Sequence, residues 1–269
     1  MKHHPVDYQK LCMMVCQIAK EAGAFIRNEA HSFDRSKVEY KGLNDLVSYV
    51  DKSAEQMIVN SLSSLIPGAG FITEENTGIK NSSGFQWIID PLDGTTNFVH
   101  GLPCYCVSIA LMNEFELVIG VVYEINASEC FYAWQGGQAM MNNEIIKVSG
   151  VSHLKQSLIA TGFPYTNYSR MKPYMEVFDF CMRNTHGIRR LGSAAADLVY
   201  VACGRLEAFY EYGLNSWDVA GGALIVKQAG GIVTDFSGGE NYLNGGEIIA
   251  ANSLMYLEFA AEVRSRFNQ

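Results

Sequence analysis

The sequence predicts an α+β fold made of two subdomains, and two observations support this prediction. Two amphipathic helices are followed by short apolar segments separated by turn residues, a pattern typical of an antiparallel sheet with hairpins. After about Val148, strands and helices alternate, which indicates a second, mixed sheet covered by helices. No linker, repeat or low-complexity tract is visible. We therefore predict subdomains at residues 1–148 and 149–269 that share an interface.

The N-terminal elements follow from hydrophobic periodicity. A helix is predicted over 8–28, where apolar residues recur on one helical face. A second helix is predicted over 51–66 and is stopped by Pro67-Gly68. Strands are predicted at GFITEE, FQWIID, CVSIALM, LVIGVVYE and ECFYAW, and a further hairpin at GGQAMMNNEIIKVS.

The C-terminal elements alternate in type. Strands are predicted at SLIATGF, GIRRL, LEAFYEY, GGIVTD and EIIAA. Helices are predicted over 173–183, 193–203, 216–229 and 254–267. Such alternation places helices against the faces of the second sheet.

Composition narrows the class of protein. The chain has 269 residues, of which 48% are hydrophobic and 18% charged, values typical of a soluble globular protein. The formal net charge of −8 argues against nucleic acid bound on a basic face, although it leaves room for small anionic substrates. The seven cysteines show no zinc or CxxC spacing, which favours reduced thiols. With no signal-peptide pattern and no transmembrane stretch, we expect a cytoplasmic protein.

Two carboxylates at the end of an apolar strand are the first candidate site. Asp90 and Asp93 in DPLDG can be turn residues, an acid–base pair or ligands for a hard cation. Pro91 fixes its own φ, so both side chains can converge with a main-chain carbonyl such as that of Leu92. That all-oxygen set suits Mg²⁺ or Ca²⁺ better than zinc.

The GTTNF segment follows at once. A glycine permits close backbone approach, and amides and hydroxyls of Thr95 and Thr96 can hold phosphate oxygens if a helix starts here. His100, just beyond, fits a packed or surface histidine better than a site residue.

Four other acids are candidates, although simpler explanations exist for each. Glu74 and Glu75 end the strand GFITEE, and Glu75 fits a solvated strand end. Asp51 and Asp218 lie in the first turns of predicted helices, where negative charge is favourable without any ligand.

The segment GIRRLGS offers two further features. Arg189 and Arg190 are adjacent and are predicted on opposite sides of a strand. One of them can contact the substrate phosphate, a dimer interface or an external partner, and the sequence does not choose among these. Gly192-Ser193 precedes an alanine-rich helix, where it can act as a cap or present helix amides to ligand hydroxyls.

Taken together, these motifs resemble the inositol monophosphatase family, and its bacterial branch in particular. The resemblance rests on NDLVSYVDKSAE, TEE, WIIDPLDGTTNFVHGLP, LGSAAADLVYVACG and SWDVAGGALIVKQAGG, which occur in the family's order across nearly the whole chain. It implies a layered αβαβα sandwich, the sugar-phosphatase fold, and a Mg²⁺-dependent, lithium-sensitive phosphomonoesterase. It also implies about two to three Mg²⁺ ions per active site.

The resemblance also implies roles for individual residues. The metal ligands it implies are Glu74, Asp90, the carbonyl of Leu92, Asp93 and Asp218. The catalytic residues it implies are Glu74 and Thr95, which orient the attacking water, and Asp51. The substrate contacts it implies are Asp93, Gly94, Thr95, Thr96, Gly192, Ala194, Glu211 and Asp218. Lys41 matches a loop lysine near the active site.

The resemblance implies hydrolysis of myo-inositol 1-phosphate or a similar polyol monophosphate by metal-activated water, in a homodimer. One alternative is another phosphate, such as a 3′-phosphonucleotide, histidinol phosphate or fructose 1,6-bisphosphate. Thr96-Asn97 stands where relatives acting on nucleotides or histidinol phosphate tend to carry Lys, which favours the inositol branch. The other alternative is a regulatory binding protein of the transcription machinery. The expected partner is a small phosphorylated polyol, with no membrane and no direct nucleic-acid contact.

Overall fold

The computed structural model describes residues 6–34, 36, 38–42, 45–75 and 84–267, and of residues 40–42 and 45–46 it describes the backbone only. The α-helices of this part of the chain are α1 (Tyr8–Ala30), α2 (Tyr49–Ser63), α3 (Thr95–His100), α4 (Met171–Asn184), α5 (Ala194–Ala202), α6 (Ser216–Gln228) and α7 (Tyr256–Phe267). None of them is both long and apolar enough to cross a lipid bilayer.

The strands form two large sheets and one small ribbon. The ribbon pairs β1 (Glu39–Gly42) with β2 (Asp45–Val47). The first large sheet has the order of the sequence: β3 (Gly70–Thr73), β4 (Phe85–Asp93), β5 (Cys106–Asn113), β6 (Glu116–Glu124), β7 (Glu129–Trp134), β8 (Met140–Met141) and β9 (Glu144–Ile145). The second has the order β11-β10-β12-β14-β13, with β10 (Leu158–Thr161), β11 (Gly187–Arg189), β12 (Ala208–Tyr212), β13 (Gly231–Thr234) and β14 (Glu247–Asn252).

The helices and sheets stack in five layers. Helices α1 and α2 pack against one face of the first sheet, and α5 and α6 lie between the two sheets. Helices α4 and α7 cover the outer face of the second sheet. Three apolar clusters fill the spaces between these layers. The predicted αβαβα sandwich is therefore confirmed, while the boundary at residues 148 and 149 stays a prediction.

Local sequence explains where the first two helices begin. The Asp7 side chain accepts a hydrogen bond of 3.0 Å from the Lys10 amide and so caps α1. Helix α2 starts at Tyr49, two residues earlier than predicted, because Ser48 and Asp51 form a capping box. The same helix ends at Ser63, before the predicted stop at Pro67, and its last residues continue as turns.

The first sheet differs from the prediction in one strand pair. All its pairs are antiparallel except β3 and β4, which are parallel, with Thr73 opposite Ile89. Parallel strands end at the same edge of a sheet. Glu74 was predicted inside the strand GFITEE, but it lies in the turn that follows β3. Because Thr73 pairs with Ile89, Glu74 lies beside Asp90. The parallel pair thus brings two candidate acids together.

Candidate metal and phosphate site

A β-bulge in β4 explains how two acids three residues apart face the same cleft. In a regular strand, residues i and i+3 point to opposite faces. Here Asp90 pairs with Ser108 and Asp93 pairs with Cys106, so three steps on β4 oppose two on β5. The extra residue turns both carboxylates to one side. Pro91 lies within this bulge, a position where a missing backbone donor is tolerated.

Helix α6 brings a third acid to the pair. Asp90, Asp93 and Asp218 each offer a carboxylate oxygen, and these oxygens lie within 4.8 Å of one another. Asp90 is buried, and Asp218 is partly open to the cleft. The Asp218 side chain also accepts a hydrogen bond of 2.6 Å from the Asn215 amide, which fixes it in the first turn of α6. Asp218 is therefore both a helix-capping residue and a member of the acid cluster.

Asp93 is held from the other half of the molecule. Its Oδ2 atom accepts hydrogen bonds of 2.6 Å from the Ser193 hydroxyl and from the Ala195 amide at the start of α5. Ser193 itself caps α5 by accepting from the Ala196 amide. The strand β4 and the helix α5 are thereby joined across the cleft, and the site contains residues from both predicted subdomains.

Burial raises the pKa values of these three acids, and neighbouring carboxylates add to the rise at Asp90 and Asp218. Burial raises the pKa of Asp90 well above its usual range, and the neighbouring carboxylates raise it further. Burial raises the pKa of Asp93 to about 6, outweighing its hydrogen bonds with α5. Burial and then Asp93 raise the pKa of Asp218 to about 7. The cluster therefore binds protons readily unless a cation replaces them.

Thr95 is fixed beside the cluster by a second buried acid. The Thr95 hydroxyl lies 2.8 Å from Asp51 Oδ1 and 3.0 Å from the Leu92 carbonyl oxygen, and it donates to these acceptors. Asp51 Oδ2 in turn accepts from the Ser48 amide and hydroxyl. Burial raises the pKa of Asp51 despite these donors. Asp51 is therefore both a helix-capping residue and a partner of Thr95.

The remaining candidate residues line one cleft of ≈ 260 Å³. Those on its wall are Glu74, Leu92, Gly94, Thr96, Gly192, Ala194 and Glu211. Glu74 lies outside the group whose oxygens are within 4.8 Å, although its charge raises the pKa of Asp90. The backbone of Lys41 is in β1, but its side chain lies outside the described residues.

Helix starts surround this cleft. Helix α3 begins at Thr95, after Gly94 at φ +99°, and the first residues of α5 and α6 line the same cleft. The amino ends of helices carry partial positive charge. They stabilise the ionised acids and also favour a bound anion such as phosphate.

Two residues have roles at or beside the cleft that the sequence pattern does not indicate. Arg190 follows β11 instead of lying inside it, and its guanidinium lines the cleft and donates to the Tyr165 hydroxyl at 3.3 Å. The predicted strand GIRRL is therefore present, but it ends at Arg189, so Arg190 is free to turn toward the cleft. Asn97 donates to the carbonyls of Cys104 and Leu191, which ties α3 to the segment before α5. Arg189 is exposed, and so is His100.

The donor set suits a hard divalent cation. The cluster and the nearby Leu92 carbonyl offer only oxygen atoms, which are the ligands that Mg²⁺ and Ca²⁺ prefer. Three carboxylates this close repel one another unless they are protonated or bound to a cation. The acidic cluster is thus able to hold a metal ion.

Comparisons with known proteins agree with this geometry. The profile of the inositol monophosphatase family matches residues 7–268. An inositol-1-monophosphatase from Mesorhizobium japonicum is 39% identical over 246 residues, covering 91% of this chain and 92% of that protein. The Nus factor SuhB from Escherichia coli K12 is 38% identical over 251 residues, covering 93% of this chain and 94% of that protein.

A solved structure is equally similar. The extragenic suppressor protein suhB from Bartonella henselae superimposes with a TM-score of 0.90 and 38% identity, covering 95% of this chain and 98% of that one. The fold is thus shared with a known structure over nearly the whole of both chains.

Proposed function

The chain belongs to the inositol monophosphatase family, and we propose that it hydrolyses small phosphate monoesters with Mg²⁺, with myo-inositol 1-phosphate as the first candidate substrate. The observation that carries this proposal is the cluster of Asp90, Asp93 and Asp218 next to Thr95. The name of the Mesorhizobium japonicum relative, inositol-1-monophosphatase, supports the inositol phosphate as substrate.

In this proposal the residues that hold about two to three Mg²⁺ ions are Glu74, Asp90, the Leu92 carbonyl, Asp93 and Asp218. When bound, the ions supply positive charge that activates water and stabilises the phosphoryl and leaving oxygens. The protein supplies the anchors, because α5 fixes Asp93 and the α6 cap fixes Asp218. Li⁺ inhibition is expected from the family.

Thr95 and Glu74 orient the attacking water. The Thr95 hydroxyl donates its hydrogen toward Asp51 and Leu92, so its free lone pairs can accept a hydrogen from water. Glu74, at the end of the neighbouring strand β3, is the group that accepts a hydrogen bond from the other O–H of the water and takes that proton as the water attacks. The water oxygen is thereby left facing phosphorus for in-line displacement.

The far wall of the cleft contacts the polyol. Glu211 is 7% exposed and its carboxyl lies against Gly162, where an added Cβ would be 2.1 Å away. It can accept hydrogen bonds from substrate hydroxyls, while Gly192 and Ala194 border the same space. Gly94 and Thr96, beside Thr95, are assigned to the phosphate. A wall with this acceptor suits a substrate that bears hydroxyl groups.

A phosphate-release panel tests the proposal. It compares myo-inositol 1-phosphate, glycerol 2-phosphate, fructose 1,6-bisphosphate, histidinol phosphate and 3′-phosphoadenosine 5′-phosphate, with Mg²⁺ and with EDTA. We expect the highest kcat/KM for the inositol phosphate and none with EDTA. Higher kcat/KM for a nucleotide or for histidinol phosphate would transfer the assignment to that substrate.

We also infer a cytoplasmic homodimer with no direct nucleic-acid partner. Free thiols at all seven cysteines support a reducing compartment. The net charge of −8 supports the absence of nucleic acid, and the family resemblance supports the dimer. Light scattering during size-exclusion chromatography measures the oligomer, and a monomer at all concentrations would contradict the inference.

A regulatory role is a second candidate because several relatives are named Nus factor SuhB. The cluster of Asp90, Asp93 and Asp218 supports catalysis without opposing such a role. An Asp93→Asn variant separates the two when it is expressed in a strain that lacks this gene. Rescue by the variant would favour the regulatory role, and failure of a folded variant to rescue would favour catalysis.

A further inference from the structure

Helix α2 carries two buried carboxylates one turn apart. Asp51 and Glu55 are both 0% exposed and lie four residues apart, so they occupy the same helical face. Asp51 binds the Thr95 hydroxyl. Glu55 Oε2 accepts a hydrogen bond of 2.8 Å from the backbone amide of Glu75. One helix therefore contacts two separate segments beside the cleft.

The second contact fixes the turn that carries Glu74. Strand β3 ends at Thr73, and Glu74 and Glu75 form the turn that follows. The Glu74 amide donates to the Ile89 carbonyl at a rather long 3.3 Å. The shorter bond to Glu55 therefore restrains the next peptide, and with it the direction of the Glu74 side chain.

We propose that Glu55 is a positioning residue that holds Glu74 at the metal and water site. Helix α2 then sets both halves of the water-orienting pair, Thr95 through Asp51 and Glu74 through Glu55. This inference rests on the proposed function for Glu74. Groups that orient metal ligands typically change metal affinity or activity about 10- to 100-fold when they are removed.

A purely structural role is the competing explanation. A carboxylate at a fully buried position is expensive unless it is well bonded, and the bond of Glu55 to the Glu75 amide contributes to stability whether or not it affects Glu74. The chain offers a matched case at Glu207, which is 7% exposed and whose Oε2 accepts from the Leu158 amide at 2.6 Å. Glu207 does not line the cleft, so a substitution of Glu207 shows how much stability is lost with such a bond when the site is not affected.

The experiment compares Glu55→Met, Glu55→Gln and Glu207→Met with the wild type. Methionine keeps the length but removes the acceptor, whereas the glutamine carbonyl can still accept from the Glu75 amide. For each protein, kcat, KM and the rise of Tm caused by Mg²⁺ are measured. Glu55→Met should lower kcat about 10-fold or more, with a smaller change in KM, and should weaken the Mg²⁺-induced rise of Tm.

The other two variants give the contrast. Glu55→Gln should keep kcat within about threefold of the wild type. Glu207→Met should lower Tm in EDTA but keep kcat and the Mg²⁺-induced rise. The proposal is overturned if Glu55→Met behaves like Glu207→Met, or if glutamine loses as much kcat as methionine.

Two outcomes need a second readout. If Glu55→Met does not fold, Glu55→Gln decides, and a loss of about 10-fold or more in its kcat overturns the proposal. If the wild type hydrolyses no phosphate ester, the proposed function fails. The Mg²⁺-induced rise of Tm still decides for Glu55, because it reports on the metal site without turnover.

Discussion

Replacing Glu211 with glutamine should make the metal-free protein more stable at neutral pH. Burial raises the pKa of the Glu211 carboxyl from 4.5 to about 8, and the charges of Asp218 and Asp93 add to this rise. Arg190 opposes it only in part. The carboxyl faces the cleft with 7% of its surface exposed, so solvent screens it little. Glutamine keeps the shape and has no charge to bury.

The size of the effect follows from the two pKa values. The unfolded chain releases this proton near pH 4.5 and the folded chain near pH 8, so between these values the unfolded state binds fewer protons. The stability present below pH 4.5 is therefore lost progressively as pH rises toward 8. Each pH unit in this window amounts to about 1.4 kcal/mol. From about pH 5 to about pH 7 the wild type should lose about 2 to 3 kcal/mol that the variant keeps.

Urea unfolding in EDTA at several pH values measures this difference. The free energy of unfolding of Glu211→Gln, minus that of the wild type, should grow by about 2 to 3 kcal/mol from about pH 5 to about pH 7. Below about pH 4 the difference should become independent of pH, which provides an internal control. A difference that stays constant across the whole range would refute the reasoning.

Three further predictions concern Thr95, a helix contact and the cation. Thr95→Ala should lower kcat about 100-fold or more, while KM changes less and the free energy of unfolding falls by no more than about 1 kcal/mol. Steady-state kinetics measure kcat and KM, and urea unfolding measures the stability. An unchanged kcat with a lower Tm would show that Thr95 is only a turn residue. Gly120→Ala should destabilise the fold by about 1 to 3 kcal/mol in urea unfolding, because a Cβ at Gly120 would lie 2.4 Å from the carbonyl oxygen of Gly221 in α6. Gly150→Ala is the control, since its Cβ would meet nothing within 4 Å and its stability should be nearly unchanged. EDTA should abolish phosphate release and Li⁺ at roughly tens of millimolar should reduce it; full turnover after exhaustive chelation would exclude the metal mechanism.

Much of the fold is predictable from local pattern. The helices α1 and α6 and the strands β4 to β7 were found because each buries a regular apolar face or run. Local sequence pattern does not predict the parallel pairing of β3 with β4, since strand direction depends on contacts between segments distant in sequence. The start of α2 lies two residues before the predicted one because the capping box of Ser48 and Asp51 decides it, and its end lies three residues before the predicted one.

The site was predictable in its residues and less so in its geometry. Motif resemblance identified the acids of the cluster, and the structure brings Asp90, Asp93 and Asp218 together. Pro91 indicates that two of them can converge, but the β-bulge that aligns them depends on the register with β5, which the local sequence does not give. The contacts of Glu55 and Arg190 depend on side chains meeting across the fold, so no spacing rule could indicate them.

The most direct test of a metal-dependent phosphatase is the Mg²⁺ dependence of phosphate release from myo-inositol 1-phosphate, measured for the wild type and Asp93→Asn. Asparagine keeps an oxygen that can accept from the Ser193 hydroxyl or the Ala195 amide, so a residue with only a capping role would be replaced well. We predict saturable, Mg²⁺-dependent release by the wild type and about 100-fold less by a folded variant. Wild-type turnover and an unchanged Mg²⁺ dependence in Asp93→Asn would contradict the assignment of this cluster to catalysis.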